Sequence, residues 1–480
     1  MIWIYCFICA IGFSSVGADY GKYADFIRRQ AENETFVRLF EKHMSQFQDN
    51  DKNLRKSSTF GCRAFPQPAQ KTSSVHKLRP MDVKVIGALG DSITAGTGIT
   101  AKTVLGLLQE NRGLSWSVGG DKSINEQQTI PNILKVYNPN IKGFSTGSGP
   151  VWWEPSSHLN IANPGDKSEN MPDQAKTLVD RMKADKNINF EEDWKVITLF
   201  VGGNDLCDYC GKEKEKYRAE NYVAHIQEAL DYLHQNVPRA FVNLVEILDI
   251  FIVKTLNENI VCDTLHFFLC ACAAFPANSD AEAELRAETE RYRSLVNELV
   301  LTGRYDTRDD FTVVVQPFFS ETHPPIQNGS PDLSYFAPDC FHLSLKGHRA
   351  AADALWNNMI EPIGKKRTKW TPGEIVECPS AEAPYFYTYK NSDSSNVIGN
   401  ALGQLESQQE FDSNTDPDNH KSSQSGSSSV AMTTVATVVG VLIVAVVSVF
   451  ALVAWKRRHS NKEERQILLQ QRDSQYYAPI

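Results

Sequence analysis

Short apolar runs alternate with amphipathic stretches through the central part of this chain. The apolar runs are rich in Val, Ile, Leu and Phe, as is typical of strands that are buried on both faces of a sheet. They lie at 83–89, 159–162, 196–201, 241–247 and 311–315. The amphipathic stretches have helical periodicity and lie at 175–184, 221–235, 281–302 and 345–359. This alternation predicts an α/β fold with a mostly parallel sheet and helices on both of its faces.

The segments before this region have patterns of their own. Residues 1–18 are apolar and end in the small-x-small sequence Val16-Gly17-Ala18, which predicts a cleaved signal peptide. Apolar residues then recur at helical intervals, and we predict that 19–78 forms an N-terminal helical segment that wraps onto the main domain. The main α/β domain is predicted at 79–378.

A long uncharged segment near the other end, 430–455, is rich in Val and Ala. At about 1.5 Å of rise per residue it reaches roughly 39 Å as a helix, more than the hydrocarbon of a bilayer, about 30 Å. The basic residues that follow favour a cytoplasmic tail at 456–480 and an extracellular or luminal domain. Because 391–429 is rich in Ser, Asn, Gln and Asp, 379–429 is predicted to be a flexible luminal stalk. The sequence thus predicts a single transmembrane helix and a single-pass type I protein of the plasma membrane.

The cysteine usage fits an extracellular domain. Of the ten cysteines, Cys6 and Cys9 fall within the predicted signal peptide, and the even number that remains favours disulfides. The spacing leaves their pairing open. Asn33 and Asn328 begin N-glycosylation sequons, which a luminal domain exposes to modification. Since no cysteine pair stands at finger-like spacing from a second ligand pair, we expect no metal site.

Composition narrows the function classes further. A hydrophobic content of 41% in 480 residues is enough to bury a large core. The net charge of −9 is modest, and no basic face of the kind that neutralises phosphates is evident in the sequence. Nucleic acid is therefore not an expected partner.

The first apolar run ends in Gly90-Asp91-Ser92 and opens into a turn that contains Thr and Gly. A serine on a bend at the end of a buried strand is where an α/β hydrolase carries its nucleophile. Ser92 is therefore the candidate nucleophile. Asp91 is interpreted as a turn or N-cap residue that satisfies N–H groups near Ser92.

The other groups that an acyl transfer requires follow downstream in order. His342 is the candidate base, and Asp339, three residues before it, is the candidate acid that fixes the imidazole tautomer. Gly165 can offer a backbone N–H, and Asn204 can offer its side-chain amide, to a developing oxyanion. Each lies at the end of a predicted strand or in a loop before a helix, the edge where a parallel sheet collects its active-site loops.

Other residues compete for the same roles. The sequence Asp-x-x-His occurs at 231–234, 263–266 and 339–342, but only the third follows the last predicted strand and precedes a terminal helix. His348 is the nearest alternative base, although it lacks an acid three residues before it. Ser145 lies in a Gly-x-Ser-x-Gly sequence, but no strand precedes it as a nucleophile elbow would require.

The four blocks around Ser92, Gly165, Asn204 and His342 resemble the GDSL lipases, or SGNH hydrolases. The stretches 84–96, 115–121 and 200–207 are more narrowly similar to the animal phospholipase B branch of that family. The resemblance covers roughly 62–378. It implies a flavodoxin-like three-layer α/β/α fold and hydrolysis of acyl esters of phospholipids and lysophospholipids. The hydrolysis that the resemblance implies requires neither a metal ion nor an organic cofactor.

The resemblance also has limits. Large intestinal members of the branch are similar to tandem arrays of this unit, whereas this chain has one. Gly119 and Gly120 compete with Gly165 for the oxyanion role, and Gly165 is preferred because Asn-x-Ala-x-x-Gly resembles the second block of the family.

Two other functions use the same sequence features. The same groups would serve a carbohydrate acetylesterase, and the scaffold would also serve a non-catalytic receptor or adhesion ectodomain. The retained Ser92, Asn204, Asp339 and His342 argue against the second. An apolar stretch at 264–275, which includes Phe267 and Phe268, is either core or a lipid-facing rim beside the site.

Overall fold

Four parallel strands form the central sheet in the described part of the chain. They lie in the order β1-β2-β3-β4. The strands β2, β3 and β4 are buried along their whole length, which explains why the apolar runs lack the alternation of a half-exposed strand. The strand bounds are β1 Val83–Gly90, β2 Trp194–Phe200, β3 Ala240–Val245 and β4 Phe311–Gln316.

The structure is a computed structural model that describes residues 20–45, 47, 60–63, 72–256, 259–371 and 373–392. The predicted signal peptide at 1–18, membrane segment at 430–455 and tail at 456–480 lie outside these residues. No helix within the described ranges combines the length and the apolar character that a bilayer crossing requires.

The helices agree closely with the predicted amphipathic stretches, and shorter ones join them. Their bounds in the described ranges are α1 Tyr20–Ala31, α2 Glu34–Met44, α3 Ser92–Ala95, α4 Ile130–Tyr137, α5 Glu154–Ser157, α6 Met171–Ala184, α7 Gly203–Asp208, α8 Ala219–Asn236, α9 Ile252–Thr255, α10 Ile260–Leu269, α11 Ala271–Ala274, α12 Ser279–Leu301 and α13 Leu345–Met359. A two-stranded hairpin, β5 Ile326–Gln327 and β6 Ser330–Pro331, precedes α13.

The register of the sheet separates the helices into two layers. A Cβ on Gly87 of β1 would lie 2.9 Å from the Leu178 side chain, so Gly87 faces α6. Val242 of β3 is level with Gly87 across the sheet and faces the same side. The next residue of β3, Asn243, faces the opposite side. There its amide lies 3.7 Å from the Met359 sulfur of α13. Helices α6, α8 and α12 therefore cover one face, and α4 and α13 cover the other, which gives the three layers that the pattern predicts.

The predicted strand at 159–162 is wrong. The outer edge of β1 is shared by two short segments, one bonded near its start at Lys142 and one near its end, where Asn160 forms an isolated bridge with Ala88. Neither segment pairs far enough to become a strand. Pro164, which has no N–H to donate, ends the pairing and turns the chain toward the site.

The N-terminal helices α1 and α2 pack on a hydrophobic cluster that is distinct from the main core. Phe341 packs against both clusters. We call the smaller one the satellite cluster; its buried members are Tyr23, Phe26, Ile27, Phe36, Phe40, Ala101, Val104, Leu107, Val261, Leu265 and Leu269.

The expectation of disulfides is confirmed, and the structure supplies the pairing that the spacing left open. The pairs are Cys62–Cys378, Cys207–Cys270, Cys210–Cys272 and Cys262–Cys340. The last pair joins α10 to the loop that carries Asp339 and His342.

The folded chain continues beyond the predicted start of the stalk at 379. Phe386 is fully buried, and its N–H donates to the Leu78 carbonyl. The Tyr387 N–H donates to the Met359 carbonyl of α13. Residues 379–392 thus pack on the α/β unit, while 393–429 lie outside the described residues.

Both predicted glycosylation residues are exposed. Asn33 caps α2, where its side-chain oxygen accepts the N–H groups of Thr35 and Phe36. Asn328 lies in the turn of the β5–β6 hairpin. Glycosylation at both positions stays a prediction.

Candidate active site

The candidate nucleophile lies on a tight turn at the end of β1. Gly90 has a φ of +155°, and a Cβ there would come within 2.5 Å of the Phe200 carbonyl of β2, so only glycine fits. Asp91 then caps the short helix α3, and its Oδ1 accepts the Ile93 N–H at 3.0 Å. Ser92 is the first residue of that helix and is only 4% exposed. The turn therefore directs the Ser92 hydroxyl into the interior of the site.

The structure brings Asp339, His342 and Ser92 into one hydrogen-bonded chain. His342 Nε2 lies 2.8 Å from Ser92 Oγ, and His342 Nδ1 lies 2.6 Å from Asp339 Oδ2. With the Nδ1 proton directed to the carboxylate, Nε2 is free to accept the serine proton. Asp339 Oδ1 also accepts the backbone N–H groups of Phe341 and His342. This arrangement can deprotonate Ser92 as its oxygen attacks an acyl carbon.

The electrostatics keep the Asp339 carboxylate charged although it is fully buried. Burial acts to raise its pKa, but the charge of His342 and the hydrogen bonds from His342 and two backbone N–H groups outweigh that effect. The pKa of Asp339 therefore lies below its usual value. A charged carboxylate at this position stabilises the imidazolium that forms when His342 takes a proton.

The candidate oxyanion donors lie on the next two loops. Gly165 has a φ of +85° and makes no hydrogen bond through its N–H to any residue that the structure describes. Asn204 follows the end of β2 in the helix α7, and one of its amide hydrogens is taken by the Asp166 carbonyl at 2.9 Å. The other amide hydrogen is left for a ligand. Both residues line a small cavity together with Ser92 and His342.

Gln174 of α6 ties these loops together, a role that sequence reasoning missed. Its Oε1 accepts the Gly90 N–H, and its Nε2 donates to the Gly90 carbonyl and to Asp166 Oδ2, each at 2.8 Å. Asp166 directly follows Gly165, and its carbonyl holds Asn204. A single amide thus fixes the spacing between the turn that carries Ser92 and the loop that carries Gly165, which we call the oxyanion loop for its candidate role.

The competing histidines are engaged elsewhere. His234 of α8 bonds to Thr307 Oγ1, far along the chain from the site. His266 donates its Nε2 hydrogen to the Cys340 carbonyl at 2.9 Å, so it supports the loop that carries His342. His348 Nδ1 accepts the Trp116 N–H, and burial lowers the pKa of His348 to about 3. A base with that pKa cannot take a proton efficiently at neutral pH.

The competing serine and glycines are also engaged. Ser145 is fully buried, and its hydroxyl donates to the Arg112 carbonyl at 2.7 Å. The N–H groups of Gly119 and Gly120 both donate to backbone carbonyls within the same loops. These bonds favour Gly165 as the backbone donor.

A second set of side chains forms an apolar cavity that opens on Ser92. It has about 50 Å³ of room for small groups, against about 10 Å³ in the smaller cavity. Its walls come from α9, from the loops after β3 and β4 and from the chain after α13, and they include Ile247, Ile250, Val253, Leu256, Phe319 and Trp370. Apolar clefts bind apolar groups, and this one lies directly beside a candidate nucleophile.

The smaller cavity, on the His342 side of Ser92, has walls that sequence reasoning missed. Tyr20 and Tyr23 of α1 line it together with Gly165 and Phe268. The stretch 264–275, expected to be either core or a lipid-facing rim, has residues of both kinds. Phe268 stacks on Phe26 of α1 with ring centroids 4.1 Å apart, while Phe275 is 44% exposed. The sequence signal for α1 was only its amphipathic spacing, which does not reveal what the helix covers.

Comparison with known proteins agrees with this geometry. The family described as "GDSL-like Lipase/Acylhydrolase" matches residues 86–355, which include Ser92, Gly165, Asn204, Asp339 and His342. The match does not extend to α1 and α2.

Individual relatives are similar over more of the chain. "Phospholipase B1, membrane-associated" of Homo sapiens is 49% identical over 329 residues, which are 67% of this chain and 22% of that protein. The proteins of the same name from Rattus norvegicus and Mus musculus are 44% and 45% identical over 71% and 72% of this chain. Each match spans 24% of the rodent protein. With more than half of its length matched by the family, the chain belongs to the GDSL-like lipases and acylhydrolases.

Proposed function

We propose that this protein is a membrane-anchored, extracellular serine esterase that hydrolyses acyl esters of phospholipids and lysophospholipids. The observation that carries the proposal is the hydrogen-bonded chain Asp339–His342–Ser92, whose serine lines an apolar cavity. The chain of hydrogen bonds supplies an activated nucleophile, and the cavity supplies a place for a long acyl chain.

In the proposed mechanism, Ser92 Oγ attacks the carbonyl carbon of the ester while His342 Nε2 accepts its proton. The carbonyl oxygen becomes an oxyanion, which the N–H groups of Gly165 and Ser92 and the amide of Asn204 stabilise. The bond to the alcohol then breaks, and the imidazolium of His342 gives its proton to the leaving oxygen. Water then attacks the acyl-serine while His342 takes one of its protons. The bond from the acyl carbon to Ser92 Oγ breaks, His342 gives the proton to Oγ, and the fatty acid leaves.

The cavity favours long acyl chains over acetyl groups. An acetyl group would leave most of the Ile, Val, Leu, Phe and Trp side chains that line this cleft without a contact. Each methylene buried there contributes about 0.8 kcal/mol. The names of the relatives, which include the words phospholipase and membrane-associated, agree with this choice of substrate.

The membrane anchor and the type I topology rest on the sequence. The uncharged segment 430–455 and the basic residues after it support a single span with the catalytic unit outside. The four disulfides agree with an oxidising compartment.

The test is to assay the full-length protein on phosphatidylcholine, lysophosphatidylcholine and an acetylated glycan, beside Ser92→Ala and Asn204→Ala. We expect fatty acid release by the wild type, loss of release with Ser92→Ala, and a fall in kcat of about 10²–10³ with Asn204→Ala. Retained turnover by a folded Ser92→Ala protein would overturn the mechanism. Release of acetate without release of fatty acid would overturn the substrate class.

A further inference from the structure

The two cavities meet at Ser92 but differ in their chemistry. The apolar cavity and the smaller cavity share Ser92, Asn204 and Phe341. His342 and Gly165 belong to the smaller one, beside Tyr20 and Tyr23 of α1. The acyl chain and the alcohol of an ester bound at Ser92 therefore contact different side chains.

The position of His342 decides which part goes where. Its imidazolium must give a proton to the oxygen of the departing alcohol, so the alcohol lies on the His342 side of Ser92. The smaller cavity is that side. The acyl chain then occupies the apolar cavity, and the alcohol lies under α1.

Helix α1 reaches the site at close range. A Cβ on Gly165 would lie 2.4 Å from the Tyr20 Cβ, so Tyr20 rests directly on the candidate oxyanion glycine. Tyr23 is fully buried close to the Asp339 carboxylate, and burial together with that charge raises the pKa of its hydroxyl. The small cavity has room for about one water-sized group, about 10 Å³.

Resting on the proposed function, we propose that Tyr20 and Tyr23 form the leaving-group wall of the active site and set the size of the alcohol that it accepts. A small alcohol fits with α1 in place. A glycerophospholipid that keeps its second acyl chain requires α1 to shift. Because α1 rests on the satellite cluster and lies outside the family match, this wall is a feature added to the catalytic unit.

The experiment uses substrates with the same acyl group, palmitoyl, and different alcohols. Full-length wild type, Tyr20→Ala and Tyr23→Ala are assayed on ethyl palmitate, palmitoyl lysophosphatidylcholine and dipalmitoyl phosphatidylcholine in the same mixed micelles. We expect the ratio of kcat/KM on phosphatidylcholine to that on ethyl palmitate to rise about tenfold in both variants, the order of effect of small changes in pocket volume. Arg29→Ala, on the exposed face of the same helix, is expected to leave the ratio unchanged.

A matched variant on the other wall separates the two cavities. Val253→Phe narrows the apolar cavity, so it is expected to change the preference for acyl-chain length with no change in the alcohol ratio. Equal changes on all three substrates in the tyrosine variants would overturn the proposed wall. Activity on ethyl palmitate with no activity on either phospholipid would contradict the proposed function. In that case the wall would still be tested by comparing, in wild type and the tyrosine variants, palmitate esters of a small and a large alcohol.

A larger side chain keeps the proposal testable if the alanine variants fold poorly. Tyr20 is only half-buried, so Tyr20→Trp enlarges the leaving-group wall without opening a gap in the core. We expect it to lower kcat/KM on dipalmitoyl phosphatidylcholine more than on ethyl palmitate, which moves the ratio in the direction opposite to that of the alanine variants. A ratio that stays at the wild-type value would overturn the proposal.

Discussion

The main core and the satellite cluster support opposite sides of the same serine. The candidate nucleophile turn and Asn204 lie at the ends of buried strands of the main core. Tyr20 and Tyr23 lie on a helix that packs against the satellite cluster. The two clusters meet at Phe341, directly beside His342.

The difference separates chemistry from substrate selection. Groups that must hold positions within a fraction of an ångström lie on strand ends, which the large core keeps rigid. The wall that faces the alcohol rests on fewer buried contacts, and such elements open at lower free energy than the core of a domain. Changes near the main core should therefore affect turnover whatever the alcohol of the ester, whereas changes in the satellite cluster should affect esters of large alcohols more than esters of small ones.

The largest expected effect is on the Asp339–His342 pair. Asp339→Asn keeps the size of the side chain but loses the charge that orients and stabilises the imidazolium, and kcat is expected to fall by up to roughly 10⁴-fold on all esters. Asp263→Asn is the matched control, because Asp263 lies in an Asp-x-x-His sequence of the same spacing whose His266 is bonded to the Cys340 carbonyl. Equal losses in both variants, or a loss that depends on the alcohol, would contradict the assignment.

The next effect tests how the oxyanion loop is positioned. Gln174→Leu removes three hydrogen bonds, those to the two backbone atoms of Gly90 and to Asp166. A displacement of about 1 Å at the site can cost roughly 10²-fold in rate, so kcat is expected to fall by up to that factor while KM changes little.

Steady-state kinetics on a small and a large ester check this prediction about Gln174. Thr177→Val, on the exposed face of the same helix, serves as the control. A rise in KM without a fall in kcat would show that Gln174 acts on substrate binding instead.

Much of this molecule is predictable from periodicity. The buried strands and the long helices end within a few residues of the predicted bounds, because apolar runs and helical spacing are local properties. The prediction of a strand at 159–162 was wrong because these apolar residues are buried at a sheet edge that two short segments share. A sequence does not reveal which of two short segments will pair.

The site was predictable only in part for the same reason. Ser92, Asn204 and His342 follow strands or precede a helix, so their chain order indicates one sheet edge. Gln174, Tyr20 and Tyr23 reach the site through contacts between distant parts of the chain, and no motif surrounds them. Gln174 did leave one trace: it is a polar residue on the buried face of an amphipathic helix, and such residues need a partner.

An effect on local stability, with less effect on turnover than the two changes above, should appear in the satellite cluster. Phe26→Ala removes the ring that stacks on Phe268, and replacing a buried Phe by Ala costs about 3–5 kcal/mol. Because that loss falls on the satellite cluster, hydrogen exchange should accelerate in α1 and α2 while the amides of β2 and β3 keep their protection. Uniform acceleration across the sheet would show that the two clusters unfold as one unit.

The smallest effect concerns Asp91, and it is expected in stability. Burial raises the pKa of Asp91 to about 7, so the folded state holds a proton that the unfolded chain releases near pH 4. Stability is therefore lost as the pH rises from about 4 to about 7, by a few kcal/mol at most. Asn at this position can still accept the Ile93 N–H without carrying a charge.

Urea unfolding at pH 5 and pH 8 should show a smaller fall in the free energy of unfolding for Asp91→Asn than for the wild type. Parallel curves would mean that the Asp91 carboxyl is ionised in the folded protein at both pH values, so that the main core already accommodates its charge.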